Sequence, residues 1–96
     1  MEAHVLDVVI SLKGRDSGEQ FIAISEDENY LYLVNGRSRR VESPKRKKRK
    51  HICFQSKIDE ATTSRLIQTG KISNSEVRKI LSVFDENRTP VAEGGI

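Results

Sequence analysis

Tyr30-Leu31-Tyr32-Leu33-Val34-Asn35-Gly36-Arg37-Ser38-Arg39-Arg40-Val41 is the stretch on which the fold turns. Its first five residues alternate, so Leu31 and Leu33 share one strand face and Tyr30, Tyr32 and Val34 the other. Asn35-Gly36 then supplies the residue types of a type I′ turn, which needs φ > 0 at both central positions. The spacing predicts a return strand over Ser38-Arg39-Arg40-Val41, and hence an antiparallel hairpin.

Toward the N-terminus the same two-residue period recurs. Leu6, Val8, Ile10 and Leu12 alternate over residues 5–12 and are predicted to line one face of a strand. Lys13-Gly14-Arg15-Asp16-Ser17-Gly18 follows as a turn with two glycines. Phe21-Ile22-Ala23-Ile24 is a second strand, and Glu26-Asp27-Glu28-Asn29 a polar turn into Tyr30. On the other side, His51-Ile52-Cys53-Phe54 is predicted as a short fifth strand. Short strands joined by tight turns indicate a mainly β chain folded as a small, strongly bent sheet or barrel.

After the strands the period changes. Ser73-Asn74-Ser75-Glu76 matches a capping box, with Ser73 as N-cap and Glu76 at N3. Val77, Ile80, Leu81 and Phe84 then follow an i, i+3, i+4, i+7 pattern. An earlier helix is predicted from about Lys57 to Gln68, capped by Ser56 and stopped by Gly70, with Ile58, Ala61, Leu66 and Ile67 as its apolar face. The expected division is a barrel over 1–55, a helical extension over 56–86 and a flexible tail over 87–96, where Pro90 and Gly94-Gly95 break regular structure.

The 96 residues allow one small domain. Val, Ile, Leu and Phe number 26, enough for a small core. A chain this short has little room for a large pocket, which argues against a complex cofactor enzyme and a small-molecule substrate. Cys53 is the one cysteine, so no intrachain disulfide forms, which fits a reducing compartment. The start Met1-Glu2-Ala3-His4 has no secretory pattern, and Val8-Val9-Ile10 is the longest apolar run. The expected location is the cytoplasm.

Charge is concentrated. Residues 37–50 hold nine basic side chains and one acid, Glu42, a balance of +8 inside a chain of net charge +3. Within that window Pro44 precedes six consecutive cations, Lys45, Arg46, Lys47, Lys48, Arg49 and Lys50. Like charges repel and Pro44 disfavours helix, so residues 43–50 are expected as an extended, mobile loop. A basic run of this density binds a polyanion by releasing its condensed counterions, or else is simply a solvated loop.

The stretch from Val8 to Gly18 resembles a KOW motif, a strand, a glycine loop and a strand. The match continues through Leu33-Val34-Asn35-Gly36-Arg37-Ser38-Arg39-Arg40-Val41 and the Pro-Lys-rich run ending in His51-Ile52. Residues 5–54 together are similar to the short bacterial KOW-domain RNA-binding proteins. These are relatives of a large-subunit ribosomal protein of archaea and eukaryotes, the fourteen-e type. Ser17 and Glu19 make the first loop less basic than the family pattern. The resemblance implies a small SH3-like (KOW) β-barrel that binds RNA, ribosomal RNA of the large subunit above all, with ribosomal proteins as neighbours. KOW domains also serve as protein-interaction modules in transcription elongation and its coupling to translation. That is the alternative, with the barrel face or the helix 73–84 as the contact.

The expected RNA-binding residues are Lys13, Gly14, Arg15, Arg37, Arg39, Arg40, Lys45–Lys50 and His51. Guanidinium groups pair with phosphate bidentately and stack on splayed bases, though charge on an edge strand also serves to prevent aggregation. Gly14 and Gly18 either let backbone amides approach phosphate or merely permit positive φ. Tyr30 and Tyr32 share a face and suit base stacking, but packing beneath the C-terminal helices is the favoured expectation. His51 and Cys53 fall on one strand face, yet two histidines and one cysteine do not make a structural zinc site. No catalytic residue, metal or cofactor is expected.

Overall fold

The computed structural model describes the backbone of residues 3–94 and the side chains of residues 3–84. Five strands form one antiparallel sheet: β1 (Asp7–Ser11), β2 (Gln20–Glu26), β3 (Tyr30–Val34), β4 (Lys45–Lys48) and β5 (Ile52–Lys57). Their order is β4-β3-β2-β1-β5, a meander whose last strand returns to the free side of β1. Register shifts at Val8/Val9 and at Ala23/Ser25 bend the sheet into a small, barrel-like half-shell. Two helices follow, α1 (Glu60–Thr69) and α2 (Asn74–Gly94). The mainly β architecture with C-terminal helices is the one the sequence predicts.

Both faces of the sheet are apolar, because both are covered. Val9, Phe21, Ala23, Leu31 and Leu33 line the concave side with Ala3. Val8, Ile22 and Val34 point the other way and meet Ile58, Val77 and Leu81 from the helical segment. The expected face Leu6-Val8-Ile10-Leu12 is therefore only half right. Leu6 and Val8 lie under the helices, whereas Leu12 is exposed beyond the strand end. Burying Val77 and Leu81 contributes about 1.5–3 kcal/mol each, which fixes α2 across the sheet.

The helix signals are met in part. Glu76 N donates to Ser73 Oγ at 3.1 Å and Ser73 N to Glu76 Oε1 at 3.2 Å, a reciprocal capping box. Gly70 ends α1 at φ +68. The N-cap of α1 is Asp59, whose carboxylate accepts from Thr62 N at 2.9 Å. Ser56 instead lies within β5, which pairs with β1 as far as Lys57. Of the expected α1 face, Ile58 and Leu66 are buried while Ala61 and Ile67 are exposed. The backbone of α2 stays helical to Gly94, through most of the 87–96 stretch expected as a flexible tail. The tail's side chains and residues 95–96 lie outside the described residues.

Two expectations around the basic segment are corrected. Asn35-Gly36 is not a type I′ turn: Gly36 has φ +77, but Asn35 is not among the residues with positive φ. Instead Asn35 Oδ1 accepts from the amides of Arg37 and Arg39, each at 2.9 Å, and turns the chain through a wider loop. Residues 38–41 accordingly form no strand. The fourth strand is β4, drawn from the run expected to be mobile. Leu33 pairs with Lys45 and Tyr30 with Lys48, so half of that run is fixed in the sheet.

Candidate nucleic-acid interface

β4 is an edge strand of four consecutive cations, and strand alternation sorts them. Lys45 and Lys47 stand opposite Leu33 and Leu31 on the concave side. Arg46 and Lys48 stand opposite Tyr32 and Tyr30 on the convex side.

The inward pair closes on Asp16. Lys47 Nζ donates to Asp16 Oδ1 at 2.7 Å and to Lys13 O at 2.6 Å, and Lys45 Nζ lies 3.0 Å from Asp16 Oδ2. Ser11 Oγ donates to Asp16 Oδ1 at 2.8 Å. Burial by itself raises the Asp16 pKa. The hydrogen bonds from Lys47, Ser11 and Lys45 outweigh it and hold the carboxyl well below its usual range. Asp16 thereby ties the β1–β2 loop to β4. Gly14 sits inside this contact at φ +88, where a Cβ would meet Asp16 Oδ1 and Lys47 Nζ, each at 3.6 Å.

Arg49 is a third inward cation. It starts a short 3₁₀ turn, Arg49–His51, and its guanidinium spans Glu26 Oε1 at 2.5 Å and Ala3 O at 2.7 Å. The hydrogen bond from Arg49, opposed by partial burial and aided by His4, lowers the Glu26 pKa. Lys45, Lys47 and Arg49, expected as phosphate ligands, are thus held by acids of the protein itself.

The remaining cations of the set are exposed, apart from Arg39, which is half-buried. Lys13, Arg15, Arg37, Arg39, Arg46, Lys48 and Lys50 make no ion pair among the described residues, and Arg40 makes an exposed one with Glu42 at 3.3 Å. Arg15 and Arg39 meet Lys45, Asp16 and Ser38 around a cleft of about 300 Å³ that joins the first glycine loop to the β3–β4 loop. Leu12 N donates to His51 O at 2.8 Å, bringing the other end of the basic run beside the same glycine loop. The His51 pKa is lowered, first by burial and then by Lys13, Lys50, Lys47 and Lys48. Arg37 is set apart, lining a different cleft with Gly18, Asn35 and Arg78.

Gly18 has φ +89 with nothing within 4 Å of an added Cβ, so positive φ accounts for its place there. Among the described residues, the tyrosines are not part of the cluster buried beneath the helices. Val34 occupies that position, while Tyr30 and Tyr32 are half-buried at the other end of β3. Arg46 Cζ lies 3.6 Å from the Tyr30 ring centroid, and Tyr32 Oη donates to Asp27 Oδ2 at 3.0 Å. Asp16 and Glu26, which organise the surface, are read from sequence only as members of solvated polar turns. The alternation of Lys45–Lys48 beside an alternating Tyr-Leu-Tyr-Leu strand is the signal that points to them. Among the described residues no group of three His, Cys, Asp or Glu side chains is placed to hold a metal, and no helix is long and apolar enough to cross a membrane. No known protein-family model matches the chain, and no curated protein is significantly similar to it in sequence.

Proposed function

We propose that this protein is a non-catalytic RNA-binding module of the cytoplasm, acting on structured ribosomal RNA in or on the large ribosomal subunit. The observation that carries it is the sorting of charge on and around β4. Acids neutralise the inward cations, and Lys13, Arg15, Arg39, Arg46, Lys48 and Lys50 are left facing solvent around one edge of the barrel. Exposed cations on a rigid scaffold engage phosphates and release counterions. A-form RNA suits such a surface, since its backbone and shape are more accessible than its deep major groove. The KOW-like order of strand, glycine loop and basic strand supports RNA, and the ribosome, as the partner.

Sedimentation of the tagged protein through a sucrose gradient of cell lysate tests this. Co-migration with large subunits, lost on raising salt or adding RNase, is the expected result. Protein remaining at the top at low salt would remove the ribosomal assignment.

One observation favours a protein partner instead, in the manner of KOW modules of the transcription machinery. A cleft of about 490 Å³ between α1 and α2 is lined by Ile58, Ile80, Val83 and Phe84, and Val83 is half exposed. A complex held there survives replacement of the β4 cations, which separates the two readings.

A further inference from the structure

The convex end of β3 and β4 carries Tyr30, Tyr32, Arg46 and Lys48 on one face, because directly opposed residues of antiparallel strands point the same way. The Arg46 Cζ lies over the Tyr30 ring, 3.6 Å from its centroid, a close cation–π contact. The helices cover the Val34 end of this face, and Tyr30 and Tyr32 lie outside that buried cluster. Beside the pair, Asn29, Tyr30, Lys48, Arg49 and Lys50 line a cleft of about 450 Å³.

We propose that the Tyr30–Arg46 pair is a stacking platform for an unpaired nucleobase, with Lys48 and Lys50 taking the adjoining phosphates. This rests on the RNA-binding reading and adds to it the strand state of the RNA. Three features favour a base over another occupant. A planar cation held against a ring presents a flat, polarisable surface, which aromatic bases of any sequence match. Lys48, directly opposite Tyr30, and Lys50 in the 3₁₀ turn that follows line the adjoining cleft, which suits a charged backbone running past a stacked base. Asn29 at the rim has an amide able to donate to and accept from a base edge. Duplex RNA keeps its bases stacked inside and cannot use this surface. The base it takes therefore comes from a loop, a bulge or a strand end of the structured RNA.

Both tyrosines of the chain lie on this face and the chain has no tryptophan, so intrinsic fluorescence reports on it directly. The experiment titrates full-length protein with a single-stranded oligoadenylate and with the same backbone lacking its bases. Tyrosine emission, corrected for nucleotide absorbance, and anisotropy of end-labelled RNA are both read. Emission is expected to be quenched by the oligoadenylate and not by the abasic chain. Arg46→Lys keeps the charge but loses the plane. It is expected to weaken oligoadenylate binding by roughly 5- to 100-fold, well beyond any loss of affinity for the abasic chain. Tyr30→Phe is expected to bind as wild type, and Tyr30→Leu to resemble Arg46→Lys. Equal binding of both chains with unquenched emission would overturn the stacking site and leave the RNA reading in place. Failure to bind either chain, or a long duplex RNA, at low salt would overturn both.

Discussion

Lys47 Nζ lies 2.7 Å from Asp16 Oδ1, across 31 residues of sequence and with both side chains nearly out of solvent. This pair converts a run of like charges into a folded strand. Without an acid on the concave side, Lys45 and Lys47 would have no reason to turn toward Leu33 and Leu31. Inward-pointing charge on an edge strand also discourages pairing with another copy.

Asp16→Asn should therefore unsettle the barrel and the site together. Removing one partner of a buried pair leaves the other uncompensated, at a cost of about 3 kcal/mol. Folding lowers the Asp16 pKa, so its contribution is complete above the unfolded value, about pH 4, and is lost as the pH falls through and below it. Urea unfolding measured at neutral pH and near pH 3 should show wild type losing more stability than Asp16→Asn on acidification. Parallel losses in the two proteins would show that the pair contributes nothing.

Gly36 is the position least able to accept a side chain. A Cβ there would approach Asn74 O to 2.6 Å and Arg78 Cγ to 2.8 Å, at φ +77. Arg78 Nη1 donates to Gly36 O at 2.6 Å, so the loop and the start of α2 are locked together. Gly36→Ala is expected to cost more than about 2 kcal/mol, since backbone strain and overlap act together. Gly18→Ala meets strain alone and is expected to cost about 1 kcal/mol. Thermal denaturation of the two variants checks the order.

His51 should titrate below the usual imidazole range in the free protein and rise toward it when bound phosphate offsets its cationic neighbours. Proton NMR of the ring measures this directly. Lys13→Ala should raise the free value, because Lys13 is the charge that acts on it most strongly. Binding linked to uptake of that proton strengthens as pH falls through the His51 range. A ring titrating at the ordinary value in both states would exclude it from the interface.

Much of the fold was legible because period-two apolar runs have one meaning in so short a chain. Tyr30–Val34, the Ser73–Glu76 capping box and Gly70 are placed by local chemistry alone. β4 was not legible, since its stability comes from Asp16 and the ladder to β3 rather than from the propensity of Lys and Arg. Asn35-Gly36 misled for a related reason: the Asn35 side chain satisfies the Arg37 and Arg39 amides, so the backbone does not need the tighter turn. Of the candidate site, the cations were all visible as a charge run. Which of them face inward depends on strand register, which composition does not reveal.

The salt dependence of RNA binding tests the central claim most directly. Six outward cations, Lys13, Arg15, Arg39, Arg46, Lys48 and Lys50, are available to phosphate. If each neutralises one, affinity should fall by roughly 10³ between about 50 and about 200 mM salt. Replacing Arg15, Arg39, Arg46, Lys48 and Lys50 with glutamine leaves the Asp16 and Glu26 pairs intact. Circular dichroism of that variant should match wild type, while binding and its salt slope nearly vanish. A folded variant that binds RNA with undiminished affinity and slope would contradict the account.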